Sequence, residues 1–341
     1  MNQVEVPRYT AAPIESMAAL SRALGVTSAQ LVAVATRASS LYRIAGKVEK
    51  ADGTFRETFD AKLVLKDIHR RIKCAILDKV VFPRYLTGSI KGQDYRTNAL
   101  LHRNSKILIS EDIKGFFPST GQCLVYEVWS RFFGFSDDVS RCLTALCVKD
   151  GVLPQGSITS AHLANLVFWR VEPTVRAELA RFGIRYSRYV DDICLSSLEA
   201  IGQEEKKKVI ALVYAMLARH GYSAKRSKHK VQTSRGRIVA TKLGVNREPS
   251  LSRQQRGQIR AAVHKLESLI ADGDLVGVRE RLSSVGGRVS MLSRFHAAEG
   301  AALAKRLASI RRALDLLPVI SKTSAAMSQM SHSDYNGTVP W

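Results

Sequence analysis

Tyr189-Val190-Asp191-Asp192 sets two carboxylates side by side in a run that otherwise reads as extended chain. Arg185-Tyr186-Ser187-Arg188 lead into it, and Ile193-Cys194-Leu195-Ser196 continue the alternation. A strand sends neighbouring side chains to opposite faces, and like charges in a sheet repel. Asp favours turns, so the pair is expected at a hairpin tip. A divalent cation, held jointly with substrate phosphates, is what would stabilise clustered negative charge there. Alone the pair decides little, because a solvated Asp-Asp turn accounts for it as well.

Upstream, Leu108-Ile109-Ser110-Glu111-Asp112-Ile113 puts another acid at the end of a short apolar run. Lys114-Gly115-Phe116-Phe117-Pro118-Ser119 follow, and their Gly and Pro close a strand and open a turn. A lone acid at a strand end together with paired acids on a hairpin suits two-metal phosphoryl transfer. There one ion activates the attacking hydroxyl and the other steadies the leaving pyrophosphate, roughly 3.5–4 Å away. Between the acids lies Gly151-Val152-Leu153-Pro154-Gln155-Gly156-Ser157-Ile158-Thr159-Ser160. Its terminal hydroxyl residues are expected to cap a helix over about 161–178.

The balance of 52 Lys and Arg against 30 Asp and Glu leaves a formal charge of +22, the footprint of a polyanionic partner. From Arg219 to Arg247 there is no acid, while Lys225, Arg226, Lys228, Lys230, Arg235 and Arg237 crowd together. Apolar Val231, Ile238, Val239, Leu243 and Val245 run through that stretch, which argues for folded strands that touch phosphate over a solvated tail. No uninterrupted apolar run reaches the ~18–20 residues of a membrane span. The N-terminus lacks the charged-then-apolar layout of a signal peptide. Five cysteines without Cys-x-x-Cys spacing read as buried hydrophobes in a reducing compartment, so a cytoplasmic protein without a membrane partner is expected.

The pattern predicts an amphipathic helix over about 14–39, a hairpin over 42–59 turning at Ala51-Asp52-Gly53, and a helix over 63–80. Thr87 to Arg96 reads as a loop in which Gly88 and Gly92 admit close backbone approach. A helix over 204–220 and short basic strands over 221–245 come next. After Pro249 three helical runs, 252–271, 275–285 and 294–316, are separated by Asp272-Gly273-Asp274 and Gly286-Gly287. Residues 321–341 are Ser-rich and weakly patterned.

Together these segments resemble a reverse transcriptase, and more narrowly a bacterial retron reverse transcriptase, over roughly residues 42–246. Asp112 to Ser119 is similar to the family's first carboxylate motif. Leu153-Pro154-Gln155-Gly156 with Ser160 and Asn165 is similar to its nucleotide-binding loop and helix, and Tyr189 to Asp192 to its metal-binding turn. Asn98-Ala99-Leu100-Leu101-His102 matches the Asn-Ala-x-x-His signature of retron members, although a lone His is more often a satisfied structural residue. The resemblance implies an α+β, right-hand polymerase fold. Its parts would be an N-terminal helical extension (1–41), fingers with a retron-type insertion (42–105), a palm (106–248, with finger elements near 120–155), a helical thumb (249–320) and a tail (321–341).

It also implies roles. Asp112, Asp191 and Asp192, with the carbonyl of Ile113, would hold two Mg²⁺ ions while a primer hydroxyl attacks a deoxynucleoside triphosphate. Arg56, Phe117, Gln155 and Lys228 would meet the nucleotide, Phe117 as the ring that rejects a ribose 2′-hydroxyl; Lys47 or Lys50 would assist Arg56. Asn98, His102, Thr241, Lys242, Asn246, Arg256 and Arg260 would meet RNA. The implied partners are a structured non-coding RNA serving as template and primer, its branched RNA–DNA product (multicopy single-stranded DNA) and a separate effector protein in antiphage defence. The sequence departs from the family at Lys242, where Gly is usual, and at Asp60-Ala61, Thr120, Ala161 and His229. A group II intron-like or other defence-associated reverse transcriptase, and a non-catalytic RNA-binding scaffold, remain the competing readings.

Overall fold

The apolar rhythm expected as one helix over 14–39 is broken in two. After the short strand β1 (Arg8–Tyr9), helix α1 (Met17–Leu24) stops at Gly25, whose φ of 61° is left-handed. Helix α2 (Ser28–Thr36) then starts from Thr27, which forms a capping box with Gln30. The computed structural model describes residues 5–49, 53 and 55–316, and the chain divides into one unit ending at Ser250 and another beginning at Leu251.

In the first unit, β2 (Tyr42–Glu49) and β3 (Phe55–Ala61) pair antiparallel as the expected hairpin. Its turn at Ala51 and Asp52, and Lys50, lie outside the described residues. Asp60 takes ion pairs from Arg43 and Lys66, which gives a polar residue a reason to stand there. Helix α3 (Leu63–Ala75) follows, then β4 (Val80–Val81), which pairs with β1. Helix α4 (Tyr95–Leu101) is N-capped by Asp94.

The central sheet has the order β6-β7-β5-β8, all antiparallel: β5 (Ile107–Asp112), β6 (Arg185–Tyr189), β7 (Asp192–Ser197) and β8 (Lys230–Thr233). Leu108, Ile109, Ile193 and Leu195 are buried within it. Strand β6 is covered on both faces, so its Tyr186, Ser187 and Arg188 are all buried and the period-2 signal is erased. Helices α5 (Phe116–Ser119), α6 (Gln122–Glu127) and α7 (Asp137–Cys147) build the core around Trp129, Phe133 and Phe135, whose rings stack or tilt against one another. Thr120 is fully buried because its hydroxyl donates to the Phe116 carbonyl and pairs with Tyr222 Oη, each at 2.8 Å.

The helix expected over 161–178 is two, α8 (Ser160–Leu166) and α9 (Glu172–Arg181), the second carrying Pro173 in its first turn. Ser160 does not cap it. Its hydroxyl donates to the Pro154 carbonyl at 2.7 Å and so fastens the preceding loop. Helix α10 (Gln203–Arg219) covers the sheet, and β9 (Val239–Ala240) and β10 (Leu243–Gly244) form a small hairpin.

Among its described residues the second unit is three helices, α11 (Arg253–Ala271), α12 (Leu275–Ser293) and α13 (Ala297–Leu316). Gly286-Gly287 does not interrupt α12, contrary to expectation. Glycine inside a helix costs ~1 kcal/mol per residue, and burial of Val285, Val289 and Leu292 along the same helix outweighs it.

Candidate active site

Strand register assembles the acids. Asp112 and Asp192 stand directly opposite each other where β5 pairs with β7. Tyr189 pairs with Asp192, so Val190-Asp191 is a two-residue hairpin loop. Val190 has φ 60°, the sign a type II′ turn requires at its first loop residue and one that a β-branched side chain resists. The Ile113 amide donates to the Asp191 carbonyl at 3.0 Å, tying the loop back to β5. An aspartate from one part of the chain and the later doublet therefore share one end of the sheet.

Electrostatics follow from this crowding. Asp192 is exposed as a residue, yet the protein around its carboxyl, with Asp191 and Asp112 beside it, pushes its pKa up to about 6. Burial, then the Asp112 charge, raises Asp191 in the same direction. Lys228 hydrogen-bonds Asp112. Partial loss of solvent works against its charge, and the Asp112, Asp192 and Asp191 carboxylates together hold the ammonium above its ordinary range. Behind this layer buried Glu111 accepts from Tyr214 Oη at 3.1 Å and pairs with His229 Nδ1 at 2.6 Å, a use for His229 that the sequence did not reveal.

A second cluster lies on the β2–β3 hairpin. Arg56 Nε donates to Gln155 Oε1 at 3.2 Å, and the Phe59 amide donates to the Gln155 carbonyl at 2.7 Å. Two residues expected at the nucleotide, 99 positions apart, are thus in contact. Phe117 is half-buried against Phe116, while Phe116 is core, stacked on Phe168.

The chain matches the family "Reverse transcriptase (RNA-dependent DNA polymerase)" over residues 48–258. It is 34% identical over 266 residues to the retron Se72 reverse transcriptase of Salmonella heidelberg (strain 579083-10), covering 76% of this chain and 69% of that protein. The chain belongs to the retron reverse transcriptases. Two further members from Escherichia coli, the retron Ec48 and Ec86 reverse transcriptases, are 28% and 26% identical over 97% and 72% of the chain, and over 85% and 77% of their own length.

A retron reverse transcriptase is an RNA-directed DNA polymerase, and the reverse transcriptase family works with divalent metal ions. Among the described residues, no three His, Cys, Asp or Glu side chains converge into a ready-made metal cage. Chemically the donors fit such an ion: they are hard carboxylate oxygens, and the raised pKa values of Asp191 and Asp192 mark negative charge short of a counterion. Bound there, a divalent cation would supply charge neutralisation at reacting phosphates.

The residues expected at RNA look different in place. Asn98 and His102 are fully buried. Asn98 Nδ2 donates to Thr87 Oγ1 and Ser187 Oγ, both at 2.8 Å, and His102 contacts Ser196 Oγ at 2.8 Å and Ser187 Oγ at 2.6 Å. Their side chains brace the sheet and offer RNA no surface, which corrects that expectation. Asn246 is exposed, and its side-chain amide bonds its own loop, accepting from the Ile238 amide and donating to the Gly236 carbonyl, each at 2.8 Å. Arg256 and Arg260 both grip Glu299. Thr241 and Lys242 form the β9–β10 turn with φ of 44° and 71°, the paired left-handed geometry of a type I′ turn. The backbone at Lys242 therefore keeps the shape a glycine would favour.

Sequence reasoning missed Glu172 and Arg188. A charged pair with 1% (Glu172) and 0% (Arg188) side-chain exposure gives no hydropathy signal; the one available cue was an arginine in a strand just before the acids.

Proposed function

We propose that this retron reverse transcriptase copies a dedicated structured RNA into single-stranded DNA joined to RNA, by two-metal nucleotidyl transfer at Asp112, Asp191 and Asp192. The observation that carries the reading is the β5–β7 register, which faces Asp112 with Asp192 and puts Asp191 in the adjoining loop. Mg²⁺ is the proposed ion, since carboxylates and phosphates are hard oxygen donors. The carbonyl of Ile113 is proposed to add to the metal shell. In this reading Arg56 and Gln155 meet a deoxynucleoside triphosphate, Lys228 serves its phosphates once released from Asp112, and Phe117 excludes the ribose 2′-hydroxyl. Exposed Lys242 meets RNA at the β9–β10 turn, and half-buried Thr241, whose hydroxyl donates to the Tyr95 carbonyl at 2.8 Å, shapes the turn beside it.

The proposed architecture takes the β2–β3 hairpin as fingers, the central sheet as palm and α11–α13 as thumb. Priming from an RNA 2′-hydroxyl, a role in antiphage defence and a separate effector protein complete the proposal, and they rest on its membership of the retron family. Five free cysteines support a reducing cytoplasm, and no single helix among the described residues is long and apolar enough to cross a membrane.

The test is deoxynucleotide incorporation on an RNA template, comparing the wild type with Asp191→Asn-Asp192→Asn. Loss of at least a thousandfold in rate is expected, because removing the carboxylates that would hold the charge-neutralising ions costs the transition state several kcal/mol. Equal rates would overturn the assignment.

A further inference from the structure

The loop that carries Asp191 is strained, and something must hold it. Val190 is β-branched with φ 60°, a conformation that costs ~1–3 kcal/mol and persists only when its surroundings enforce it. Those surroundings converge on Arg188, which is fully buried. Its Nε and Nη2 donate to Glu172 Oε1 and Oε2 at 2.7 and 2.8 Å. Nη2 also reaches the Asn165 carbonyl at 3.0 Å, while Nη1 reaches Asn165 Oδ1 at 3.4 Å and the Val190 carbonyl at 3.1 Å. Each of the five N–H groups of a guanidinium thus has an acceptor. Glu172 is completed by the Tyr186 hydroxyl at 2.6 Å.

The opposite side of the loop is closed as tightly. Asn165 Nδ2 donates to the Gly88 carbonyl at 2.8 Å. Gly88 lies so close to the loop that a Cβ there would come within 2.4 Å of the Val190 nitrogen. Val190 is therefore held through its carbonyl by Arg188 and confined at its nitrogen by Gly88, with Asn165 linking the two.

We infer that Arg188, oriented by Glu172 and Asn165, is a positioning residue that keeps the Val190-Asp191 loop in its strained form so that the Asp191 carboxylate faces the ion site. A buried ion pair is a poor source of net stability compared with apolar packing. It is a good source of direction, because a planar fork fixes several acceptors at once. The inference rests on the polymerase reading above and concerns how that site is shaped.

The test uses the full chain with Mn²⁺ as the probe, its binding followed by electron paramagnetic resonance without substrate, alongside nucleotide incorporation. Arg188→Lys keeps the charge and loses the fork; it is expected to weaken Mn²⁺ binding at least tenfold. Val190→Gly in that background relaxes the strained φ and is expected to recover at least threefold, which no generic loss of core packing would do. Asn165→Ala leaves the Glu172–Arg188 pair intact and serves if Arg188→Lys does not fold; it should show the same loss and the same recovery. Unchanged Mn²⁺ binding in the variant that folds, or no recovery with Val190→Gly, would overturn the inference. Equal Mn²⁺ binding by the wild type and Asp191→Asn-Asp192→Asn would overturn the polymerase reading itself, and this inference with it.

Discussion

Replacing His102 by Gln should flatten the acid side of the stability curve. His102 is fully buried, and desolvation, helped by the nearby Arg185 charge, pushes its pKa down to about 3. In the unfolded chain the ring titrates near ~6.5. Its folded pKa is thus depressed. Stability is undiminished above about pH 6.5 and drains away as pH falls from there toward 3, because the unfolded chain takes up a proton that the folded one refuses. At ~1.4 kcal/mol per unit the full effect is ~5 kcal/mol, of which ~2 kcal/mol falls between pH 7.5 and 5.0. His102→Gln loses hydrogen bonds worth ~1–3 kcal/mol, so it starts lower at pH 7.5, but it does not titrate. The gap between wild type and variant should therefore shrink by ~2 kcal/mol across that interval. His69, also buried and lowered by desolvation, is common to both proteins and cancels. Urea unfolding read by tryptophan fluorescence is suitable, since Trp129 and Trp169 lie in the same unit as His102. A gap that stays constant from pH 7.5 to 5.0 would refute a buried, neutral imidazole.

Two other substitutions follow from local geometry. Lys242→Gly places a residue with no Cβ at φ 71° and should stabilise the first unit by ~1 kcal/mol, raising its thermal midpoint by ~2–4 °C; a lower midpoint would contradict the turn assignment. Phe117→Ala should raise ribonucleotide incorporation at least tenfold relative to deoxynucleotide, measured as the ratio of kcat/KM values, and unchanged sugar discrimination would remove the gating role.

The acids were legible in the sequence because their chemistry is unusual wherever it occurs: adjacent carboxylates in an apolar run need a reason. Gln155 and Arg56 were legible only through resemblance, since nothing in either segment announces that a loop and a hairpin 99 residues apart would touch. Asn98 and His102 show the limit of motif reading. A recurring polar residue can be retained for a ligand or for an interior hydrogen bond, and only burial separates the two. Helix ends failed where local rules met packing, as at Gly286-Gly287, which stays helical, and Ser160, whose hydroxyl prefers the Pro154 carbonyl to a capping role. The Glu172–Arg188 pair was invisible because strand β6 is covered on both faces, leaving no alternation to betray an interior charge.

The stitching of the β2–β3 hairpin to the Gln155 loop limits how this protein can move. A main-chain bond from Phe59, a side-chain bond from Arg56 and the close fit of Gly156, where an added Cβ would approach the Phe59 carbonyl to 2.8 Å, make the two segments one jaw. Any opening that admits a fresh substrate must carry both segments together, and the pivot has to lie outside them.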